Sequence, residues 1–324
     1  MTGSAAPANP CEQALARWCE RCATEPAKVA VAYSSGADST ALLLAAKQRW
    51  PDRVVALHVH HGLQSAADDF ESHARQFCER HSIPFVVEHV QAAHEAGQSP
   101  EDAARLARYA ALARMAREEK AGCVLLGQHA DDQAETLLLA LSRGAGLPGL
   151  ASMAERFERA GMHFGRPLLD LPAQALRAWL QSAGHAFVDD PTNTDTRFTR
   201  NRIRSVLMPA WDACFPGFRP MLARSARHAA QAQRLLDELA AMDLAHTGEP
   251  PQIARLQSLG RDRQANVLRH WLRTSAGVAA ATAQLDELLD QVQACTTRGH
   301  HINLKVGPGH VERAGECLRY TPVL

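Results

Sequence analysis

The chain has 324 residues, enough for two domains with a large buried core. At 46% hydrophobic and 22% charged it is globular rather than disordered, collagenous or coiled-coil. Its 35 Lys+Arg balance 35 Asp+Glu, which excludes a basic coat over the whole surface but leaves room for a local patch. No apolar run approaches the ~18 residues of a membrane span, and the first ten residues lack a basic start and an apolar stretch. No membrane association or signal peptide is therefore expected, and cytoplasm is the default.

In chain order, residues 12–21 predict an amphipathic helix that contains Cys19. Cys19-x-x-Cys22 is the only close pair among eight cysteines. With no second pair at zinc-ribbon spacing, it reads as fortuitous rather than as a metal or redox site. Val29, Ala30, Val31 and Ala32 mark a buried strand over 28–33, followed by a Ser/Gly turn and a helix over 38–50. Strands over 53–60, 83–90 and 122–128 then alternate with helices over 66–81, 101–120 and 131–143. Strands separated by helices of ten or more residues imply parallel βαβ units, hence a doubly wound α/β sheet whose ligands sit beyond the strands' carboxyl ends. The Gly/Pro-rich stretch 144–149 predicts a loop, and 172–184 a helix with Pro at its start and Gly past its end. Residues 189–196 are turn-forming and 218–244 predict a long helix. Past Gly248-Glu249-Pro250-Pro251, helices over 261–275 and 282–294 and strands over 302–306 and 311–320 predict a small α/β unit. The domain division expected is 1–26 as an N-terminal extension, 27–215 as the main body, 216–248 as a linker helix and 249–324 as a small second domain.

Two junctions carry chemistry. Ser34-Ser35-Gly36-Ala37-Asp38-Ser39-Thr40 joins a buried strand to an apolar helix. Small residues let the backbone approach a ligand, and free N–H groups at a helix start attract an anion. The Walker A spacing and its lysine are absent. Asp38 within an anion cradle makes sense if a divalent cation bridges it to phosphates, although Ser and Asp also serve as plain helix caps. The second junction is Gly127-Gln128-His129-Ala130-Asp131-Asp132-Gln133-Ala134-Glu135-Thr136. On a helix Asp132 and Glu135 share a face, as do Asp131 and Glu135, so a cation between them, magnesium or an amine, would relieve their repulsion. Acids at a helix N-terminus are also favourable in themselves.

Further segments follow in order: Leu57-His58-Val59-His60-His61-Gly62-Leu63; Glu101, Ala104, Arg105, Arg108 and Tyr109; Arg143-Gly144-x-Gly146 with Gly149-Leu150; Arg166-Pro167-Leu168-Leu169; Asp189-Asp190-Pro191-Thr192-Asn193; and Arg200-Asn201-Arg202-Ile203-Arg204. In a strand His58 and His60 point one way and His61 the other, which argues against a three-histidine metal site. From 197 to 234 there are eight arginines and one acid, Asp212, a candidate RNA-facing patch unless acids from elsewhere pair with it. At helical spacing Arg200 and Arg204 share a face and Arg202 points away, so one face should reach phosphate or nucleotide while the other anchors the helix.

The first loop resembles the Ser-Gly-Gly-x-Asp-Ser signature of the PP-loop ATP pyrophosphatases, with Ser35 in place of the first glycine. That change is small in volume but disfavours a positive φ there. The ordered set as a whole resembles the tRNA(Ile)-lysidine synthetase family from about residue 28 to 209, and more weakly to the C-terminus. The resemblance implies an adenine nucleotide alpha hydrolase-like fold with a long helical linker and a small second domain. It implies a ligase that joins free lysine to carbon 2 of the wobble cytidine of tRNA(Ile) with a CAU anticodon. The reaction would pass through an adenylated tRNA and release pyrophosphate and AMP. It further implies ATP binding by Ser34, Ser35, Gly36, Ala37, Asp38 and Ser39, with Mg2+ held by Asp38. Asp132 and Glu135 would serve the lysine, Arg108 and Arg105 the intermediate's charge, and Arg200, Arg202 and Arg204 the tRNA; a homodimer stays open.

Two rivals share parts of this pattern. A PP-loop tRNA thiolase needs catalytic-domain cysteines, often with an iron–sulfur cluster, yet 188–193 contains none and Cys19 and Cys22 precede the first strand. An NAD or GMP synthetase would leave the Arg200–Arg204 stretch and the second domain unexplained. A non-catalytic RNA-binding protein on a decayed ATPase scaffold would have no need of Asp38, Asp132 and Glu135 together.

Overall fold

A computed structural model describes residues 8–22, 25–60, 67–90, 100–190, 195–297 and 299–322. The motif residues at 61–63 and 191–193 lie outside the described residues. The chain divides into two compact units, Met1–His228 and Ala229–Leu324.

In the first unit the elements are α1 (Pro10–Glu20), β1 (Val29–Ala32), α2 (Ala37–Arg49), β2 (Val54–His60), α3 (Ala67–Arg80), β3 (Phe85–His89), α4 (Pro100–Glu118), β4 (Cys123–Leu125) and α5 (Ala130–Ser142). They continue with α6 (Leu147–Leu150), β5 (Arg156–Arg159), β6 (Met162–Gly165), α7 (Ala173–Ser182), α8 (Thr199–Arg202) and α9 (Met208–Cys214), and the unit also takes in the start of α10 (Phe218–Thr247). The sheet runs β3-β2-β1-β4-β6-β5, parallel except for the β5–β6 pair. Strand order reverses between β1 and β4, the switch point at which open α/β sheets bind ligands.

Strand alternation sends Val29 and Val31 to a core built with α1, α2, α3 and α7, around Leu15, Leu42, Phe77 and Leu176. Ala30, Val55 and Leu57 face the opposite side, against Tyr109, Leu112 and Met115 of α4. Because helices cover both faces, β1 is buried at nearly every position and reads as a continuous apolar run. Helix α1 starts with Asn9, whose side chain accepts from the Cys11 N–H, and it buries Cys11, Ala14, Leu15 and Trp18. Trp18 lies against Gly165 of β6, where any Cβ would overlap the indole ring. The Arg156 guanidinium sits 4.9 Å from the same ring and donates to the Trp18 carbonyl.

Two expectations are corrected, and a hairpin is added to the predicted elements. Residues within 144–149 enter the short helix α6, with Gly146 at its N-cap and Pro148 in its first turn. The hairpin β5–β6 was not legible, because Arg156-Phe157-Glu158-Arg159 is half charged, as suits an edge strand. The strand predicted over 311–320 is two strands, broken at Gly315, which has φ +66°.

The second unit holds the rest of α10, then α11 (Ile253–Gln257), α12 (Arg261–Ala276), α13 (Thr282–Ala294) and the antiparallel sheet β7 (Asn303–Val306), β8 (Gly309–Ala314), β9 (Cys317–Pro322). Its core joins Leu268, Trp271, Leu288, Val306, Val311 and Leu318. Among the described residues no helix is long and apolar enough to cross a membrane.

Candidate active site

The loop after β1 turns sharply into α2. Ser35 is fully buried at φ +66°, so this position keeps the left-handed backbone without a glycine. The strain is offset locally: its hydroxyl donates to the Phe70 carbonyl at 3.1 Å, and its own carbonyl accepts from the Val188 N–H at 2.9 Å. Gly36 caps α2 without a side chain, so no side-chain oxygen occupies the helix N-terminus. The Ser39 hydroxyl donates to the Gly36 carbonyl at 3.0 Å and accepts from the Ser34 N–H at 3.2 Å, which fixes the loop as a cradle. Asp38 stands in the first turn with Oδ1 buried and unpartnered among the described residues.

The loop after β4 meets that cradle directly. A Cβ on Gly127 would lie 3.1 Å from Asp38 C and Ser39 N, so glycine permits the backbones to approach this closely. His129 then caps α5: its backbone N–H donates to Asp132 Oδ2 at 3.1 Å, and in the neutral ring its Nδ1 accepts from the Asp132 N–H at 3.4 Å. Nε2 of this buried ring is 3.4 Å from both Asp38 Oδ2 and Asp132 Oδ2. Burial alone would lower the His129 pKa, but the hydrogen bond to Asp38 and the charges of Asp132, Asp38 and Asp131 outweigh it and raise it to about 9. Asp131 is held in place structurally. It accepts from the Ala173 N–H at 2.9 Å, capping α7, and from Arg219. Burial opposes its ionisation, yet these donors keep its carboxyl below the ordinary value.

Asp132 and Glu135 share a face of α5 as expected, and the cation between them is Arg204. Its Nε donates to Glu135 Oε1 at 2.7 Å, and its Nη2 lies 3.4 Å from Asp132 Oδ1. Glu135 is fully buried, and its Oε2 has no partner among the described residues. Burial raises its pKa despite the lowering effect of Arg204. Arg204 stands in a π-helical turn, Ile203–Leu207, inserted between α8 and α9, so the 3.6-residue spacing from Arg200 no longer sets its direction. Sequence spacing could not show this, because the partners are 69 residues apart.

The other arginines divide. Among the described residues Arg202 bonds only locally, to the Thr196 and Arg197 carbonyls at 3.3 Å and to the Thr199 hydroxyl at 3.1 Å. Arg197, Arg219 and Arg227 pair with Asp195, Asp131 and Asp170, so the patch is more neutral than its sequence count. Among the described residues Arg200 and Arg224 make no ion pair. Arg108 is exposed as a residue, yet desolvation of its guanidinium, then the like charges of Arg105 and Arg200, lower its pKa against the opposing effect of Tyr109. The sequence assigns Arg166 no role. It is buried on neutral partners, Gln128 Oε1 at 2.7 Å and the Ala154 carbonyl at 2.7 Å. Anion cradle, carboxylate pair and arginines thus gather at the carboxyl edge of β1 and β4, an arrangement suited to nucleotidyl transfer and to holding an amine.

Residues 8–211 match the family model described as a PP-loop domain, and residues 252–319 the one described as the TilS substrate binding domain. The chain is 60% identical over 291 residues to a tRNA(Ile)-lysidine synthase of Polaromonas naphthalenivorans, covering 90% of this chain and 88% of that one. It is 44% identical over 273 residues to the enzyme of the same name from Burkholderia pseudomallei, covering 82% of this chain but only 56% of that one. Among solved structures, a U34-tRNA thiolase from Methanococcus maripaludis superposes with TM-score 0.57 at 17% identity, over 67% of this chain and 77% of that one. At that identity the likeness shows the fold alone.

Proposed function

This chain belongs to the tRNA(Ile)-lysidine synthase family, and from that premise we propose that it ligates free lysine to the wobble cytidine of tRNA(Ile) carrying a CAU anticodon. The reaction takes place in the cytoplasm and forms a carbon–nitrogen bond. The observation that carries the reading is the meeting of the two junctions at the switch point: Asp38 of the anion cradle and Asp132 of the carboxylate pair face one histidine, each 3.4 Å from its Nε2.

In the first half-reaction the loop 34–39 holds the ATP phosphates through its N–H groups and the hydroxyls of Ser34 and Ser39. The cytosine O2 attacks the α-phosphorus, and the bond to pyrophosphate breaks. The donor set suits magnesium: Asp38 Oδ1 is a hard oxygen, buried without a partner, at the phosphate loop. Asp38 would hold the ion, which supplies charge neutralisation to the leaving pyrophosphate. Arg108, with Arg105, offsets charge on the adenylated nucleotide.

In the second half-reaction the lysine ammonium settles against Asp132 and Glu135 and gives a proton to Asp132. Its amine attacks carbon 2, and the bond to AMP breaks. Arg204 opposes protonation of Glu135 until lysine arrives and yields part of the carboxylate pair to it. Arg200 and Arg202 lie towards the tRNA, and the small domain, 249–324, adds further tRNA contact.

The test is incubation with ATP, lysine and an unmodified tRNA(Ile) transcript, with the nucleoside read by mass and the nucleotide products by chromatography. The reading requires a lysine adduct on the wobble cytidine together with AMP and pyrophosphate. ADP as the main product, or an unchanged nucleoside mass, overturns it.

A further inference from the structure

Away from the carboxylate pair, the outer strands and α3 bring together three side chains that the mechanism does not use. In the parallel register of β2 and β3, His60 stands opposite His89. Register partners in a parallel pair project to the same side of the sheet. The two imidazole rings lie 4.4 Å apart. Helix α3 covers that side and supplies Glu71, whose Oε2 is 3.2 Å from His89 Nε2. His60, Glu71 and His89 each offer a ligand atom, and all three atoms lie within 4.8 Å of one another. On the preceding turn of α3, Asp68 Oδ1 lies 3.0 Å from His60 Nε2.

We propose that His60, Glu71 and His89 form a binding site for a divalent transition-metal ion of the zinc type, with Asp68 or water completing the coordination. The donor set is two imidazole nitrogens and a carboxylate, which suits zinc rather than magnesium or calcium. Ligands about 2.0–2.1 Å from a tetrahedral zinc lie about 3.3 Å from each other. The 3.0 and 3.2 Å separations already approach that spacing. Supporting contacts are in place as well. Arg75 bonds Glu71 Oε1 at 2.8 Å, which leaves Oε2 for the ion and fixes the carboxylate's orientation. His58, on the same face, is committed to the Tyr33 carbonyl at 2.8 Å and so stays out of the set. One ligand is buried, one half-buried and one exposed, so an ion can enter from solvent. The site ties the ends of β2 and β3 to α3, which gives the ion a structural role.

The experiment titrates Zn2+ and Co2+ into the full chain carrying Cys19→Ser and Cys22→Ser, with millimolar Mg2+ present to occupy the carboxylate of Asp38. His89→Ala and Glu71→Gln are compared in the same background, and circular dichroism confirms that each variant folds. The expected result is one zinc per chain, an affinity at least about tenfold weaker in both variants, and a rise in Tm with zinc that both variants lose. Cobalt should give d–d bands without a thiolate charge-transfer band. Absence of zinc binding up to about 100 µM overturns the proposal. So does an affinity unchanged in the variants, or a thiolate band.

Discussion

Removing the Arg204 guanidinium tests the carboxylate pair more sharply than removing either acid. In Arg204→Ala, Glu135 would stay fully buried beside Asp132 with no cation against Oε1. Breaking a fully buried pair costs about 3–5 kcal/mol, and an exposed one contributes about 0–1 kcal/mol. The Arg204 side chain is 42% exposed while that of Glu135 is not exposed at all, so the loss should fall between these limits. We expect about 2 kcal/mol at pH 7. Glu135 can escape part of this cost by taking up a proton, since burial already raises its pKa. A carboxyl with a raised folded pKa loses stability as pH rises through that value, and losing Arg204 moves the window upward. The deficit of Arg204→Ala should therefore shrink as pH falls towards 5, and Glu135→Gln/Arg204→Ala should recover most of it. Urea unfolding of the four proteins at two pH values, read by the fluorescence of Trp18, Trp50, Trp179 and Trp211 in the first unit, gives the coupling. A loss below about 0.5 kcal/mol, or one indifferent to pH, would refute the argument. In the same proteins the salt dependence of tRNA binding should stay at the wild-type slope, whereas Arg200→Ala should lower it by about one unit.

Asp38→Ala should abolish AMP and pyrophosphate formation in a protein that still folds, with a lower Tm because His129 loses a carboxylate 3.4 Å from its Nε2; wild-type turnover at ordinary magnesium would remove it from the mechanism. Gly127→Ala should cost at least tenfold in ATP turnover, since its Cβ would press at 3.1 Å on the backbone of Asp38 and Ser39, and full activity would mean the two loops need not touch. Asp132→Asn and Glu135→Gln should raise the lysine requirement more than that for ATP; the reverse pattern in saturation kinetics would make the pair metal ligands. In the nucleotide- and metal-free protein His129 should titrate near about 9 by NMR, so the stability it contributes is complete below its unfolded value of 6.5 and lost as pH rises through 9. A titration at or below 6.5 would contradict its placement between Asp38 and Asp132.

The parallel core was legible because strands covered on both faces are written as unbroken apolar runs, such as Val29 to Ala32, and each is followed by a helix with its own pattern. Both junction loops were legible for a related reason: Ser, Gly and Asp cluster where a strand must turn into a helix. What escaped were features created only by distant packing. The charged edge strand Arg156–Arg159 has no apolar signature, and the π-helical turn that aims Arg204 has no sequence mark. The group of His60, Glu71 and His89 arises from three separate elements in register. Ser35 shows the opposite limit: a serine keeps a glycine's backbone where buried hydrogen bonds hold it there.

The seat of Trp18 on Gly165 bears on how the chain is made. Its carbonyl accepts from Arg156, a partner 138 residues later in the sequence. At about 5–20 residues per second, a ribosome needs about 7–28 s between the two. Throughout that interval the residues of α1 have been translated while one side of the Trp18 indole lacks the Gly165 surface it lies against in the fold. The first helix translated thus waits for β5 and β6 before Trp18 is fully covered, and a chain stalled before β6 would present a partly uncovered tryptophan to whatever chaperone attends synthesis.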